Sequence, residues 1–452
     1  MIFKRKIYSK IKEWKNNSNG KTALLVEGAR RIGKSTIVEE FAKNEYKSYI
    51  LIDFNDVSNF VLEAFNSYLN DLNTFFMMLS SEYNVQLYPR ETLIIFDEVQ
   101  KFPKARQSIK KLVKDGRFDY IETGSLISIH ENVKDITIPS EEEIIKMYPL
   151  DFEEFCWALD KEFLIAYIKK CYEELKPLDE SGHHKAMLLF KQYMLVGGMP
   201  QSINAYLENN YSFKAADIAK RNIITLYKND IGKADVLYRN KISSIFEQIP
   251  SFLSMHEKRV RLSNISKNAD FPSYEDTFYW LSSSMITNEC FNCKDPNIGL
   301  SLNEDRTFLK CYMGDTGLLI SLAFTENEIA DGELYKQILH DNLSINEGML
   351  FENAIAQCLV ANGYKLFFYT RYNKEKHRND IEIDFIISNI SILKPKIFPI
   401  EVKSTKQYKT KSLDKFNELY KQRVGKSYII HTKNLQITED IIYLPSYMTI
   451  FL

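Results

Sequence analysis

Long apolar runs, metal-binding histidine patterns and an excess of one charge are all missing from this 452-residue chain. No run approaches the roughly 18 apolar residues that span a bilayer, which excludes a conventional membrane helix. The basic first residues lack an apolar signal core, so we expect a cytoplasmic protein without a membrane partner. Lys and Arg number 59 against 60 Asp and Glu, so any nucleic-acid surface must be local.

The six cysteines are too scattered to form a disulfide framework in a chain of this length. Cys290 and Cys293 form a C-x-x-C pair, and Cys311 is the only other cysteine near them in sequence. A structural zinc site needs four ligands, so we expect buried thiols here, with a zinc site as the alternative.

The most informative motif lies in residues 22–36, TALLVEGARRIGKST, where an apolar strand leads through a turn into a helix. Gly28, Gly33, Lys34 and Ser35 match G-x-x-x-x-G-K-[ST], the phosphate-binding loop of P-loop nucleoside triphosphatases. The glycines let backbone N–H groups point at phosphates, Lys34 would reach the β- and γ-phosphates of ATP, and Ser35 would bind Mg²⁺. The expected nucleotide-binding residues are Gly28, Ala29, Arg30, Arg31, Ile32, Gly33, Lys34, Ser35 and Thr36.

A second motif follows about 60 residues later, where the apolar run 92–96 ends in Asp97 and Glu98. This pattern is typical of a Walker B strand, which delivers carboxylates to the edge of the sheet where ligands bind. Asp97 is therefore a predicted Mg²⁺ ligand, and Glu98 is a predicted catalytic residue that polarises the attacking water.

The next predicted strand, 118–122, ends in Thr123, Gly124 and Ser125. AAA+ proteins place a polar sensor residue at this point, between the two Walker elements. Thr123 is the first candidate and Ser125 the second, and the alternative is that these residues only cap a turn. The alternation of strands and helices predicts a parallel sheet with helices on both faces.

The middle of the chain has helical periodicity and few chemical motifs. Residues 156–235 suit a helical lid over the nucleotide. Residues 236–330 resemble a winged helix-turn-helix, with 273–284 as its recognition helix. That helix contains Glu275 and Asp276 and no Lys or Arg, which favours a structural or protein-contacting role over DNA recognition.

The last 110 residues hold a third constellation. Glu352 falls on a predicted helix, Asp384 on a strand, and Glu401 with Lys403 on the next strand. This order is the ligand set of the PD-(D/E)xK nuclease fold, in which three carboxylates bind Mg²⁺ and the lysine positions water. Residues 361–426 carry 15 Lys and Arg against 7 Asp and Glu, a field that suits a polyanion. The alternative is a fold that only binds, or a Glu401–Lys403 ion-paired face.

With these motifs in place, the chain resembles prokaryotic AAA-family ATPases that end in a domain of unknown function with a PD-(D/E)xK-like fold. Further segments that carry the resemblance are Tyr148–Phe155, Gly197–Pro200, Asp315–Leu319 and Glu347–Asn353. The resemblance implies an α/β fold with a P-loop ATPase core (1–155), a helical lid (156–235), a winged-helix-like domain (236–330) and a nuclease-like domain (331–452). A homo-oligomer with an arginine finger from a neighbouring subunit would also be expected.

The sequence therefore predicts an Mg²⁺-dependent ATPase coupled to a module that binds or cleaves DNA. The predicted metal ligands are Ser35, Asp97, Glu352, Asp384 and Glu401, and the predicted catalytic residues are Lys34, Glu98, Thr123, Glu401 and Lys403. The rival hypothesis is an ATP-dependent signalling or scaffold switch, whose silent last domain binds a protein partner.

Overall fold

The computed structural model describes residues 1–124, 140–267, 269–325, 332–339, 347–375, 377–389, 395–405 and 407–452. The first of its two compact units comprises Met1–Tyr148 with Ser283–Met285, and the second comprises Pro149–Ser282 with Ile286–Leu452. The lid, winged-helix-like and nuclease-like segments that the sequence predicts after residue 155 thus lie almost wholly in the second unit. Within the described ranges, no helix combines the length and the apolar character needed to cross a membrane.

The first unit is built on a parallel sheet of five strands. Its strands are β1 (Ala23–Gly28), β2 (Ser48–Asp53), β3 (Thr92–Asp97), β4 (Asp119–Gly124) and β5 (Glu142–Met147). Its helices are α1 (Lys6–Ser18), α2 (Lys34–Glu45), α3 (Asn59–Ser67), α4 (Leu72–Tyr83) and α5 (Pro103–Asp115). All residues of β1, β3 and β4 are buried, so both faces of the sheet are covered at its centre. The predicted parallel α/β architecture is confirmed here.

The strand order, β2-β3-β4-β1-β5, positions the two Walker motifs. Strand β4 pairs with β1 on one side and with β3 on the other. Because the carboxyl ends of parallel strands meet at one edge of a sheet, the ends of β1, β3 and β4 lie side by side. Gly28, Asp97 and Thr123 are therefore brought to a common edge.

The second unit combines a helical part with an eight-stranded mixed sheet. Its helices are α6 (Phe152–Ala158), α7 (Glu162–Glu173), α8 (Glu180–Val196), α9 (Pro200–Glu208), α10 (Phe213–Ile231), α11 (Val236–Ser254), α12 (Glu275–Ser283), α13 (Thr316–Ala323), α14 (Gly332–Leu339), α15 (Glu347–Ala361) and α16 (Lys411–Leu419). Its strands are β6 (Thr287–Cys293), β7 (Glu304–Met313), β8 (Leu366–Asn373), β9 (Arg378–Asn389), β10 (Lys396–Val402), β11 (Ser427–His431), β12 (Gln436–Ile437) and β13 (Ile441–Pro445). The strand order is β12-β13-β11-β10-β9-β8-β6-β7.

The hairpin of β6 and β7 differs from the sequence-based expectation. The two strands pair antiparallel, and β6 pairs in parallel with β8. Strands from the segment 236–330 thus extend the sheet of the segment 331–452. Between α11 and α12 the described residues form only short 3-10 segments at Leu262–Asn264 and Pro272–Tyr274. No residue of the first segment is buried, so no packing supports a longer helix there.

Two glycines allow a close approach of α13 to the end of α8. A Cβ atom added to Gly317 would lie 2.6 Å from Gly197 Cα and 2.7 Å from Val196 O. Asp315 fixes this contact, because its carboxylate accepts from the N–H groups of Gly198 at 2.5 Å and Leu318 at 2.9 Å. The motifs at 197–200 and 315–319 therefore form a packing junction in this unit.

Asp151, in the segment 148–155, caps the first helix of the second unit. Asp151 is the N-cap of α6 and accepts from the N–H of Glu154 at 2.9 Å, while the Glu154 carboxylate accepts from the N–H of Asp151 at 3.2 Å. This reciprocal pair is a capping box, which satisfies two backbone donors at a helix start. The segment 148–155 therefore begins a helix.

Candidate nucleotide site and carboxy-terminal charge cluster

The loop between β1 and α2 has the backbone shape of a phosphate cradle. Gly33 is the N-cap of α2 with φ 91°, and Arg31 also has a positive φ, 68°. A Cβ added to Gly28 would lie 2.4 Å from Ile32 Cδ1 and 2.5 Å from Met147 O, so the loop tolerates only glycine there. Gly33 has no side chain to accept from the first turn of α2. The N–H groups of that turn are thus positioned for an anion.

Lys34 lies at the start of α2 and folds back over the loop. Its Nζ donates to the carbonyl oxygens of Gly28 and Ala29, both at 2.9 Å, and the residue is only 6% exposed. Burial lowers the pKa of Lys34 to about 8, opposed by the nearby carboxylates of Glu98 and Asp97. The ammonium group is therefore held at the loop by weak neutral acceptors, which a phosphate would outcompete.

Three predicted residues meet at the carboxylate of Asp97. Ser35 Oγ donates to Asp97 Oδ1 at 2.7 Å, and the hydroxyl of Thr123 donates to the same oxygen. Asp97 and Thr123 are both buried. A serine hydroxyl beside a carboxylate oxygen is a donor set that suits Mg²⁺, so these residues fit the predicted metal.

Glu98 stands next to this cluster with an unusual backbone. It adopts the left-handed conformation, φ 54° and ψ 45°, and its N–H donates to Thr123 Oγ1 at 3.4 Å. Non-glycine residues in this region carry strain of about 1–3 kcal/mol, and such residues concentrate at functional sites. Its carboxylate accepts a hydrogen bond from the side chain of Gln100. Ser125, the second sensor candidate, lies outside the described residues.

Arg5 was not predicted from the sequence, and its side chain donates a hydrogen bond to the backbone of the loop. This buried guanidinium donates from Nη1 to Ile32 O at 3.0 Å and from Nη2 to Tyr148 O at 2.6 Å. Arg5 thus links the phosphate-binding loop to Tyr148, where the segment Met1–Tyr148 of the first unit ends. Only its position in a basic amphipathic segment before the P-loop hinted at it, and that segment offered several other cations. In the same loop, Arg30 is partly exposed and Arg31 is exposed.

The second unit gathers the predicted nuclease residues around Glu352 on α15. Lys310 and Tyr312 alternate along β7, so both face this carboxylate. Lys310 Nζ lies 2.9 Å from Glu352 Oε1, the Tyr312 hydroxyl donates to the same oxygen, and Lys258 donates to Oε2. Burial raises the pKa of Glu352, but Lys258 and Lys310 outweigh it and bring the pKa down to about 2. Glu352 is therefore an ionised, fully hydrogen-bonded carboxylate.

The other predicted ligands are also paired. Asp384 Oδ2 accepts from the N–H of Val402 at 2.9 Å, and Asp384 Oδ1 lies 3.7 Å from Lys310 Nζ. Lys403 Nζ lies 2.6 Å from Glu401 Oε2, which is the ion-paired alternative weighed from the sequence. Burial raises the pKa of Glu401 to about 7, and Lys403 opposes the shift while Asp384 adds to it. Lys258, Lys310 and Tyr312 were not foreseen, because they come from segments predicted to form a different domain.

The carboxylates of the second unit do not fit the predicted metal well. Nowhere in the described part of the chain do three His, Cys, Asp or Glu side chains form a group that could hold a metal ion. Both oxygens of Glu352 already accept from ammonium or hydroxyl groups. The metal-ligand role of Glu352, Asp384 and Glu401 stays a prediction from sequence.

The cysteines are buried free thiols. Burial raises the pKa of Cys293 to about 11 and that of Cys311 to about 12. These thiols are therefore protonated at neutral pH, whereas a zinc ligand is a thiolate.

Comparison with known families divides the chain into three matched segments. Residues 20–156 match a family described as an AAA domain. Residues 187–328 match a domain of unknown function, DUF8612, and residues 347–447 match another, DUF4143. The DUF8612 match crosses residue 235, where the sequence analysis divided a lid from a winged-helix-like segment. No curated protein matches the chain.

Three solved structures are similar to this chain at low sequence identity. A Walker-type ATPase of Pyrococcus abyssi is 16% identical, with a TM-score of 0.42, over 71% of this chain and 96% of that chain. AMPPCP-bound DnaA from Aquifex aeolicus is 14% identical, with a TM-score of 0.29, over 61% and 85%. Cdc6p from Pyrobaculum aerophilum is 13% identical, with a TM-score of 0.25, over 75% and 94%.

The assignment of the first unit rests on the family match and on the loop geometry. The match covers both Walker motifs, and the sheet order brings Gly28, Asp97 and Thr123 to one edge. Residues 20–156 therefore match an AAA domain in sequence, and the P-loop and Walker B motifs lie within this match.

Proposed function

We propose that the first unit binds ATP through residues 28–36 and hydrolyses it with Mg²⁺. The observation that carries this proposal is the 2.7 Å hydrogen bond from Ser35 Oγ to Asp97 Oδ1. These two residue types hold Mg²⁺ in P-loop proteins, and here they are already in contact. When bound, Mg²⁺ would neutralise charge on the β- and γ-phosphates.

Each of the chain's own residues has a distinct task in this proposal. The N–H groups at the start of α2 bind phosphate oxygens. Lys34 leaves the carbonyl oxygens of Gly28 and Ala29 and pairs with phosphate instead. Glu98 accepts a proton from the attacking water, and Thr123 holds Asp97 in position. An arginine finger from a second copy of the chain stays a prediction.

Nucleotide binding tests the first step. The affinity of purified protein for a fluorescent ATP analogue would be measured with and without Mg²⁺, for wild type and for Lys34→Ala. We expect the variant to lose at least 100-fold in affinity, because it lacks the charge that faces the phosphates. The matched control is Lys43→Ala, an exposed lysine on the same helix paired with Glu39. Equal affinity of wild type and Lys34→Ala would overturn the proposal.

A second candidate function is nucleic-acid binding by the carboxy-terminal part of the second unit. The observation that favours it is local charge, since residues 361–426 have 15 Lys and Arg against 7 Asp and Glu. Such a field attracts the phosphate backbone without sequence preference. The ion pairs of Glu352 and Glu401 with lysines give no support to metal-dependent cleavage. Binding of a protein partner is the alternative that the assay below distinguishes.

Binding of duplex DNA should be measured at 50 and 200 mM salt, with a cleavage assay in Mg²⁺ or Mn²⁺ alongside. The test variant replaces three exposed lysines of this region, Lys409, Lys411 and Lys421, with Gln. Its control replaces three exposed lysines of the first unit, Lys10, Lys101 and Lys114. Salt-sensitive binding that weakens at least fivefold only in the test variant supports the candidate function. Salt-insensitive binding, equal binding by both variants, or none at all contradicts it and favours a protein partner.

A further inference from the structure

The carboxylates of the second unit are matched one for one by lysines. Glu352, Asp384 and Glu401 supply three carboxyl groups, and Lys258, Lys310 and Lys403 supply three ammonium groups. Glu352 and Glu401 have side-chain exposures of only 1% and 2%. In such a setting an unbalanced charge is costly. A divalent cation added to this balanced set would leave two excess positive charges.

Lys258 differs from the other two lysines in how it reaches the cluster. Lys310 is part of strand β7, and Lys403 directly follows strand β10. Lys258 instead lies in the turn after α11, where its N–H donates to Met255 O at 3.2 Å. Its side chain retains 18% exposure while it contacts Glu352 Oε2. The Lys258 ammonium group therefore reaches the cluster from a turn and not from a strand of the sheet or the residue next to one.

The backbone of Lys258 indicates that this contact holds the turn in place. The residue has φ 51°, in the left-handed region that residues with a side chain rarely adopt. Strained residues persist where the surrounding contacts fix them. The ion pair with Glu352 and the backbone hydrogen bond to Met255 O are two such contacts.

We propose that Lys258 is a tethered cation that takes the place of a metal ion at the carboxylates of the second unit. Its ammonium group completes the charge balance around Glu352, with Lys310 and Tyr312 on the other oxygen. The cluster consequently does not bind divalent cations. Glu352, Asp384 and Glu401, which the sequence predicts as nuclease metal ligands, instead form ion pairs in a domain that binds its partner without cleaving it. Removal of Lys258 leaves one carboxylate oxygen open and a net negative charge, which is a latent cation site.

The experiment measures Mn²⁺ binding to full-length, nucleotide-free protein by electron paramagnetic resonance. We expect wild type to show no binding that depends on Asp384, so that wild type and Asp384→Asn give the same titration. Lys258→Met should gain one Mn²⁺ with at least tenfold tighter binding, and adding Asp384→Asn should remove it. Lys267→Met, an exposed lysine 9 positions further along, is the matched control and should behave as wild type.

Thermal unfolding provides a second readout. Lys258→Met removes one ion pair of Glu352, so the melting temperature of this variant should fall. Mn²⁺ should restore the melting temperature of Lys258→Met and leave that of wild type unchanged. Binding in wild type that is lost in Asp384→Asn would overturn the proposal. So would a folded Lys258→Met protein that gains no Mn²⁺. If Lys258→Met does not fold, the comparison of wild type with Asp384→Asn decides alone.

Discussion

The hydroxyl of Ser35 donates a hydrogen bond of 2.7 Å to the carboxylate of Asp97, although 62 residues separate them in the chain. The contact arises because α2 begins at the carboxyl end of β1, while Asp97 ends β3. Strand β4, between them, adds the hydroxyl of Thr123 to the same carboxylate. The parallel sheet thus brings Ser35, Asp97 and Thr123, which are distant in the sequence, into one cluster.

Loss of the serine hydroxyl should separate Mg²⁺-dependent binding from binding of the nucleotide alone. Ser35→Ala removes one predicted metal ligand and leaves the loop N–H groups and Lys34 unchanged. We expect affinity for ATP to fall at least tenfold with Mg²⁺ present and to change little in EDTA. Titration calorimetry checks this, with Ser67→Ala, an exposed serine at the end of α3, as the control. An equal loss under both conditions would contradict the assigned role.

Removal of the Thr123 hydroxyl should slow turnover more than it weakens binding. Thr123→Val keeps the shape of the buried side chain but removes the hydrogen bond to Asp97 and the acceptor for the Glu98 N–H. We expect kcat for ATP to fall about 10- to 100-fold, with KM within a factor of about three, because a positioning group is lost. Steady-state kinetics separates these effects. An unchanged kcat would indicate that Thr123 only caps the strand end.

Arg5 should be needed for the shape of the loop. Arg5→Met removes the hydrogen bonds to Ile32 O and Tyr148 O, and bonds from charged donors contribute about 1.5–3 kcal/mol each. We expect at least tenfold weaker ATP binding and a lower melting temperature. Lys10→Met, which replaces an exposed residue of helix α1 just after Arg5, should change neither. Unaltered ATP affinity in Arg5→Met would show that the loop keeps its shape without this support.

The close approach of two glycines predicts an unusual response to alanine. Alanine normally stabilises a helix by about 1 kcal/mol relative to glycine. In Gly317→Ala the new methyl group would meet backbone atoms at 2.6 to 2.7 Å, and overpacking of this kind costs about 1–3 kcal/mol or more. We therefore expect a lower melting temperature. Gly232→Ala, whose added Cβ would lie 3.3 Å from the nearest atom, is the control. Stabilisation by Gly317→Ala would contradict the packing described here.

His431 should make stability sensitive to acid. Burial lowers the pKa of His431 to about 4. Its Nδ1 lies 2.8 Å from the Tyr408 hydroxyl and its Nε2 lies 3.2 Å from Asn434 O. Between pH 6.5 and 4 the unfolded chain binds a proton that the folded chain does not, so stability falls as pH falls. The slope from this group is at most about 1.4 kcal/mol per pH unit. Denaturant midpoints across this range should depend less on pH in His431→Gln than in wild type, and His256→Gln, which replaces an exposed histidine, should match wild type.

The sequence predicted the first unit well because local pattern and chemistry agree there. Strands β1 and β3 form where the sequence predicts strands, within residues 22–36 and at the apolar run 92–96, since each is a continuous apolar run. The apolar residues Leu62, Phe65, Leu69, Leu72 and Phe76 have the spacing of one continuous helix, but the chain forms two helices there, α3 and α4. Asp71 separates them, because its side chain accepts from the N–H of Thr74 and starts a new helix.

The second unit was harder to predict because its key contacts are between distant segments. The helix and strands that carry Glu352, Asp384 and Glu401 were recognisable from their periodicity. Lys310 gives no such signal, since a lysine in an alternating strand is usually exposed to solvent. Its burial follows only from the pairing of β6 with β8, which brings β7 to the edge of the sheet beside α15. No local pattern encodes that pairing.

Phosphate release from ATP tests the central claim most directly. It should be measured with Mg²⁺ for wild type, Lys34→Ala, Glu98→Gln and the control Glu63→Gln, which replaces an exposed glutamate on α3. We predict turnover in wild type and Glu63→Gln, none in Lys34→Ala, and none in Glu98→Gln, which should nevertheless retain bound ATP. Full turnover in both Lys34→Ala and Glu98→Gln would contradict the account.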